Sequence, residues 1–287
     1  MRKRTWLVAF CLPIWGCASF DRIALRSNEV ILERGRVAVL DEPDLQLGRD
    51  AMASQLKLLD ILLASDPASL TLRRLAAESF SGYAFLFVED ADPQRAKNLY
   101  RRGRDHALAA LALSPAFRGL PGMTLENLEK ALTSASKKDV PELFWAAFAW
   151  GGVINASKDD AAELAELPKV AALMKRVYAL DPAFHFGGSD LFFGVYYASR
   201  PPLLGGNPAK SKTHFDWAHR ITKGQYLMAH VLNARWYAVA VQDRALFTQL
   251  LTKVLESPAG LLPEARLSDE AAKKKAAALL EKIDDYF

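Results

Sequence analysis

The chain of 287 residues has almost no cysteine. Its two, Cys11 and Cys17, both fall in the first 17 positions, so no disulfide framework can brace the rest of the chain. It also lacks an excess of charge. The formal net charge is +4, but Arg2, Lys3 and Arg4 come before any acid, the first being Asp21. Without residues 1–16 the count is 34 basic against 33 acidic, a net charge of +1. That is far from the basic surplus needed to neutralise a phosphate backbone, which removes nucleic acid as a default partner. No convincing strand alternation is present from about residue 45 onward, and no strand is expected. Nucleotide-binding patterns of the G-x-x-x-x-G-K-[ST] and G-x-G-x-x-G types are missing too. What is present, 51% hydrophobic and 24% charged residues, describes a foldable globular chain.

The amino terminus has the layout of an export signal: Arg2-Lys3-Arg4, a short apolar run from Trp6 to Leu12, then Ile14-Trp15-Gly16-Cys17-Ala18-Ser19. The run is well short of the ~20 apolar residues that span a bilayer. The segment around Cys17 resembles a bacterial lipobox, with Gly16 as the small residue before the cut; a plain secretory signal that contains a cysteine is the alternative. Lipidation would consume the thiol, which explains how an exported protein can carry one odd cysteine safely. Ala18 in place of Asp implies the periplasmic face of the outer membrane. The expected division is a signal peptide over 1–16, a lipidated tether over 17–44 and one helical domain over 45–287.

The body reads as helix after helix. Six dipeptides place a capping residue before proline: Asp66-Pro67, Asp92-Pro93, Ser114-Pro115, Asp181-Pro182, Asn207-Pro208 and Ser257-Pro258. Asp, Ser and Asn accept from unpaired amides, and proline at the first helical position gives up a donor that had no partner, so each predicts a helix start. Met52, Leu56, Leu59 and Leu63, and Val170, Leu173, Met174 and Val177, are amphipathic stripes expected in the core. Four segments share a helix-end signature closing at Pro67, Pro115, Pro182 and Pro258, similar to the end of a tetratricopeptide repeat. Their spacings of 48, 67 and 76 residues exceed the ~34 of a regular array, so the fold class expected is an all-α solenoid of degenerate repeats.

Two stretches break the pattern. Leu143 to Ile154 is uncharged on every face, which predicts a helix buried all round, with Gly151 and Gly152 allowing another helix or a ligand close to its backbone. Phe184 to Asn207 mixes five glycines with six Phe and Tyr residues and is expected to form a shaped loop on a cavity wall. Phe192, Phe193, Tyr196 and Tyr197 in it fit core packing or cavity lining equally by spacing.

These residues resemble the T-component of TRAP transporters. The match is carried by Gly187-Gly188-Ser189-Asp190-Leu191-Phe192-Phe193-Gly194, Tyr197-Ala198-Ser199-Arg200-Pro201, Gly205-Gly206-Asn207 and His214-Phe215, with support from Tyr83 to Glu89 and Phe144 to Trp150. The resemblance implies a periplasmic lipoprotein without enzymatic activity or cofactor. It would be a homo-oligomer, a trimer among the candidates, that works with a periplasmic solute-binding protein in solute uptake. A cavity or channel for an apolar solute would be formed by Gly187, Gly188, Asp190, Phe192, Tyr196, Tyr197, Arg200, Gly205, Gly206, His214 and Phe215.

Catalytic readings have little support. Leu191 stands where G-x-S-x-G needs its second glycine. His214 and His219, five apart, sit about 140° apart on a helix and cannot share a metal. Glu78-Ser79 is like the catalytic dipeptide of helical cell-wall hydrolases, but the partner motif is missing, and Glu78 is expected as an exposed helix residue. Lys273-Lys274-Lys275 reads as a solvated face. The rival functions are a tetratricopeptide scaffold lipoprotein in envelope assembly and a cell-wall hydrolase.

Overall fold

A computed structural model describes residues 29–157 and 159–287. The expected signal peptide over 1–16, with Cys11, and the expected lipidation site Cys17 lie outside the described residues. Within them the chain is helical and contains no strand. Helix begins at Glu29, inside the segment expected as a tether: α1 (Glu29–Leu40) precedes α2 (Leu45–Ser65) and α3 (Leu70–Tyr83). Then come α4 (Pro93–Leu111), α5 (Leu125–Leu132), α6 (Val140–Asn155), α7 (Ala161–Ala165), α8 (Leu167–Leu180) and α9 (Phe184–Ala198). The series ends with α10 (Pro208–Ile221), α11 (Leu227–Leu232), α12 (Arg244–Glu256) and α13 (Arg266–Glu281).

The helix ends follow local chemistry. Asp92 and Asn207 cap α4 and α10 as expected, accepting from the amides of Arg95 at 3.0 Å and Lys210 at 2.9 Å. The other proline signals are displaced. After Pro67 the cap is Ser69, whose hydroxyl accepts from Leu72, and α9 opens at Phe184 rather than Pro182. Ser114-Pro115 starts only a short 3₁₀ turn, and Ser257-Pro258 starts no helix, since α13 begins at Arg266. All four tetratricopeptide-like signatures do mark helix ends, at Ser65, Leu111, Leu180 and Glu256.

Neighbouring helices pair in sequence: α2 with α3, α3 with α4, α4 with α6, α6 with α8, and α9 with α10. The α2 and α8 stripes are buried as expected. Helix α6 is buried on nearly every side, and only Gly152 lets Tyr100 through, because a Cβ there would stand 2.6 Å from its ring. Helix α13 does not end an open spiral. It packs on α11 and α12 and also returns to α1 and α2, so the first and last helices meet. The stacked pairs thereby surround an interior space.

Candidate functional site

Two of the short segments that depart from α-helical winding are wound more widely, and both face this space. Ala84–Val88, after α3, and Asn233–Ala238, after α11, are π-helical. A π turn inserts an extra residue per hydrogen-bonded loop and re-aims the side chains beyond it. The first presents Phe85 and Leu86, the second Arg235 and Trp236. An ion pair from Arg235 to Asp90 at 2.7 Å joins the two segments, and Lys275 of α13 reaches Asp90 and Glu89 beside them. Burial pushes the Glu89 carboxyl up, opposed by Lys275, while the Tyr100 hydroxyl donates to it at 2.6 Å.

The start of α9 is the third departure. His185, Phe186 and Gly187 take consecutive left-handed conformations, φ 49°, 59° and 74°. For the two non-glycine residues this costs about 1–2 kcal/mol each, so their surroundings must hold them there. They are held by rings: Phe186 stacks on Tyr226 at 4.4 Å, and His185 lies 4.9 Å from Trp145 and 5.1 Å from Phe144. Burial, with Arg36 adding to it, lowers His185 to about 4, leaving a neutral imidazole near pH 7. The expected loop over 184–207 is therefore corrected. Its first part is helix up to Ala198 after one left-handed turn, and only the part around Pro201–Asn207 is irregular.

The cavity, partly open to solvent, has a volume of about 1300 Å³. Phe144, Trp145 and Phe148 of α6 form one wall, and Phe184, Phe186, Phe192 and Tyr196 of α9 another. Most of the charged groups on it are paired, some with carboxylates behind the wall. Arg74 binds Glu142 at 2.6 Å, and Arg36 of α1 binds Glu78 of α3 at 3.2 Å and Glu264 at 2.7 Å. The Glu78 carboxyl is pushed up to about 7 by burial, which Arg36 only partly offsets. Glu78 is thus a partly buried cavity residue in an ion pair and not the exposed residue expected.

Of the residues singled out in sequence, Gly188, Phe192, Tyr196 and Arg200 line the cavity. Gly188 is needed there because a Cβ would come within 2.5 Å of the Phe144 ring. Arg200 lies over the Tyr196 ring, 3.4 Å from its centroid, and its Nε donates to the Tyr196 carbonyl. Gly187, Asp190, Tyr197, Gly205, Gly206, His214 and Phe215 are not on the wall but behind or beside it. Asp190 is buried and its carboxylate accepts from His214 Nδ1 at 2.7 Å, and His214 stacks on Tyr197 at 5.7 Å. Phe215 is buried against Gly194, and Gly206 passes so near the Arg200 carbonyl that no side chain would fit. The four aromatics of α9 divide: Phe192 and Tyr196 face the cavity, Phe193 and Tyr197 pack with His214.

Arg36, Glu78, His185, Phe186 and Trp236 also line the cavity, and none of them is a site residue that the sequence pattern points to. Glu78 shares its helix face with Arg74 and Thr71, which also line the cavity, so no local pattern sets it apart. His219 stacks on His230 at 4.2 Å, away from the Asp190–His214 pair. No group of three or more His, Cys, Asp or Glu converges as a metal site among the described residues. No helix among them is long and apolar enough to cross a membrane.

The helix pairs thus close around a cavity with an aromatic wall, most of whose charged groups are paired in place. Residues 41–287 match the TRAP transporter T-component family, and the chain belongs to it. Membership ties it to TRAP transport and to the cell envelope; the family is a transport component and not a known enzyme family. The chain is also similar to an uncharacterized protein of Treponema pallidum (strain Nichols), 25% identical over 274 residues that cover 86% of this chain and 81% of that one.

Proposed function

We propose that this chain is the non-enzymatic, lipid-anchored T-component of a TRAP-type uptake system. Cys17 carries the lipid at the periplasmic face of the outer membrane, and the helical body docks a periplasmic solute-binding protein as part of a homo-oligomer. The cavity holds an apolar solute in transit. One observation carries the last step: a space of about 1300 Å³ bounded mainly by apolar side chains, aromatic rings prominent among them, in which Arg36, Arg74 and Arg235 are each already bound to a carboxylate. Sites of this size and lining take ligands by apolar burial, with few polar groups left to select for charge.

The test joins two measurements on the mature protein. An apolar fluorophore should bind saturably, quench Trp145 and Trp236, and be displaced by a lipid extract of the producing cells. The periplasmic solute-binding subunit of the same system should be retained on the immobilised protein. Absence of both would overturn the reading. Digestion of peptidoglycan lost on Glu78→Gln would replace it with the hydrolase.

A further inference from the structure

The turn between α9 and α10 is unlike the rest of the surface. Its run Pro201-Pro202-Leu203-Leu204 places two leucines in solvent, Leu203 at 99% and Leu204 at 68% of their full exposure, the two highest values among the large apolar residues described. Isolated exposed leucines are ordinary, but two adjacent ones at the tip of a turn stiffened by two prolines are not explained by the fold. The turn is also well fixed. Gly205 and Gly206 both bond back to the prolines, Asn207 bonds to the Tyr197 carbonyl at 2.9 Å, and the Gly206 backbone lies against the Arg200 carbonyl.

Cations predominate in the sequence around the tip. No acid occurs between Asp190 and Asp216, while Arg200, Lys210 and Lys212 flank the turn. Lys212 pairs with Asp216 at 2.8 Å, Lys210 lies 5.3 Å from the Tyr197 ring centroid, and Arg200 lies over Tyr196. An apolar tip backed by cations suits the interface of a bilayer that contains anionic lipid: the leucines enter the headgroup region and the cations meet phosphate. Pro201 and Leu204 also line the cavity, so a tip seated in lipid brings the cavity wall to the membrane.

We infer that the Pro201–Leu204 turn is a membrane-contact loop, which seats the body of the protein on the lipid surface. The inference rests in part on the proposed anchor at Cys17. From Cys17 to Glu29 is a path of 12 residues, which can span at most ~40 Å. A lipid on Cys17 would therefore hold the body within reach of the bilayer whatever path the intervening residues take.

The experiment uses the full chain in a Cys11→Ser background, reconstituted in vesicles of phosphatidylethanolamine and phosphatidylglycerol. A nitrobenzoxadiazole probe is placed through Leu203→Cys, or as a control through Ile61→Cys on α2, a position 66% exposed. The Leu203 probe should shift to the blue and be quenched severalfold more strongly by nitroxide lipid than the Ile61 probe. Leu203→Asp combined with Leu204→Asp should cut vesicle flotation of the Cys17→Ser chain severalfold while leaving its circular dichroism unchanged. Equal quenching at the two positions would overturn the inference. So would a blue shift without vesicles, which would assign the tip to a second copy of the chain, or one seen only with the solute-binding protein. The intact mass reports lipid on Cys17 separately. A lipidated chain with an unquenched Leu203 probe defeats the loop and spares the anchor; a Cys17 found unlipidated by mass, with the Leu203 probe still quenched when Cys17→Ser is added, does the reverse.

Discussion

Helices α2 and α9 both carry apolar residues along their length, yet they use them in opposite ways. In α2 the stripe Met52, Leu56, Leu59 and Leu63 points into a single cluster with α3, Met52 alone of the four also reaching the cavity, and the other faces carry Asp50, Lys57 and Asp60. In α9 the rings divide between two environments, a cavity on one side and packing around His214 on the other. Its first turn adds left-handed strain that α2 nowhere shows. The difference separates residues that make the fold from residues that shape an empty space within it. Removing the first kind should cost stability; altering the second should change what the space accepts.

The largest effect on stability should come from α2. Leu59 is 2% exposed, and Leu59→Ala should destabilise by about 2–5 kcal/mol, read as a fall in the denaturant midpoint with fluorophore binding intact in the folded fraction. Phe192→Ala on α9 should cost less, about 1–2 kcal/mol, because the ring already borders a void and leaves fewer contacts behind. It should nevertheless weaken fluorophore binding more than Leu59→Ala does. Equal stability losses, or a binding loss confined to α2, would erase the distinction between the two helices.

The pH dependence sharpens the same contrast. The folded-state pKa of Glu78, about 7, lies above the ordinary 4.5, so the folded chain holds a proton that the unfolded chain has released. Its contribution to stability is present below about pH 4.5 and is lost as pH rises through about 7. The native protein should lose on the order of 2 kcal/mol between those limits relative to Glu78→Gln, whose neutral amide does not titrate. His185 works in the opposite sense: its folded-state pKa of about 4 lies below 6.5, so its contribution grows as pH rises through that window. The comparison with Glu78→Gln cancels the His185 contribution, and urea titrations of the two proteins from acid to pH 8 would measure the remainder. A parallel pair of curves would contradict the buried position of Glu78.

Much of the fold was legible because it depends on neighbours in sequence. The stripes of α2 and α8, the four helix ends and the burial of α6 follow from spacing and local capping. Where capping groups compete, the local rule failed: Ser69 took the cap that Asp66-Pro67 announces. The site was less legible. The aromatic spacing in α9 left core and cavity undecided, and the structure assigns alternate pairs of rings to each. The π turns and the left-handed residues His185 and Phe186 depend on packing from α6, α11 and beyond, which no local pattern encodes. Glu78 looked like a surface acid because its partners are remote. Arg36 is 42 residues away in sequence, and Glu264, on the other side of that arginine, lies 228 residues beyond it.

Gly151 offers the most direct test of whether the cavity is a working space. It lines the cavity, and a Cβ there would meet only Phe192 and Val170, each at 3.8 Å, so a larger side chain can enter without displacing backbone. Gly151→Leu should keep or raise stability, since replacing a helical glycine gains about 0.5–1 kcal/mol, while filling part of the void. Native mass spectrometry of the mature protein and of Gly151→Leu should show a non-covalent apolar molecule retained by the first and lost from the second, at equal thermal stability. An empty native protein that binds no apolar probe, or a Gly151→Leu protein that retains the same molecule as fully, would contradict the cavity as the site of the solute.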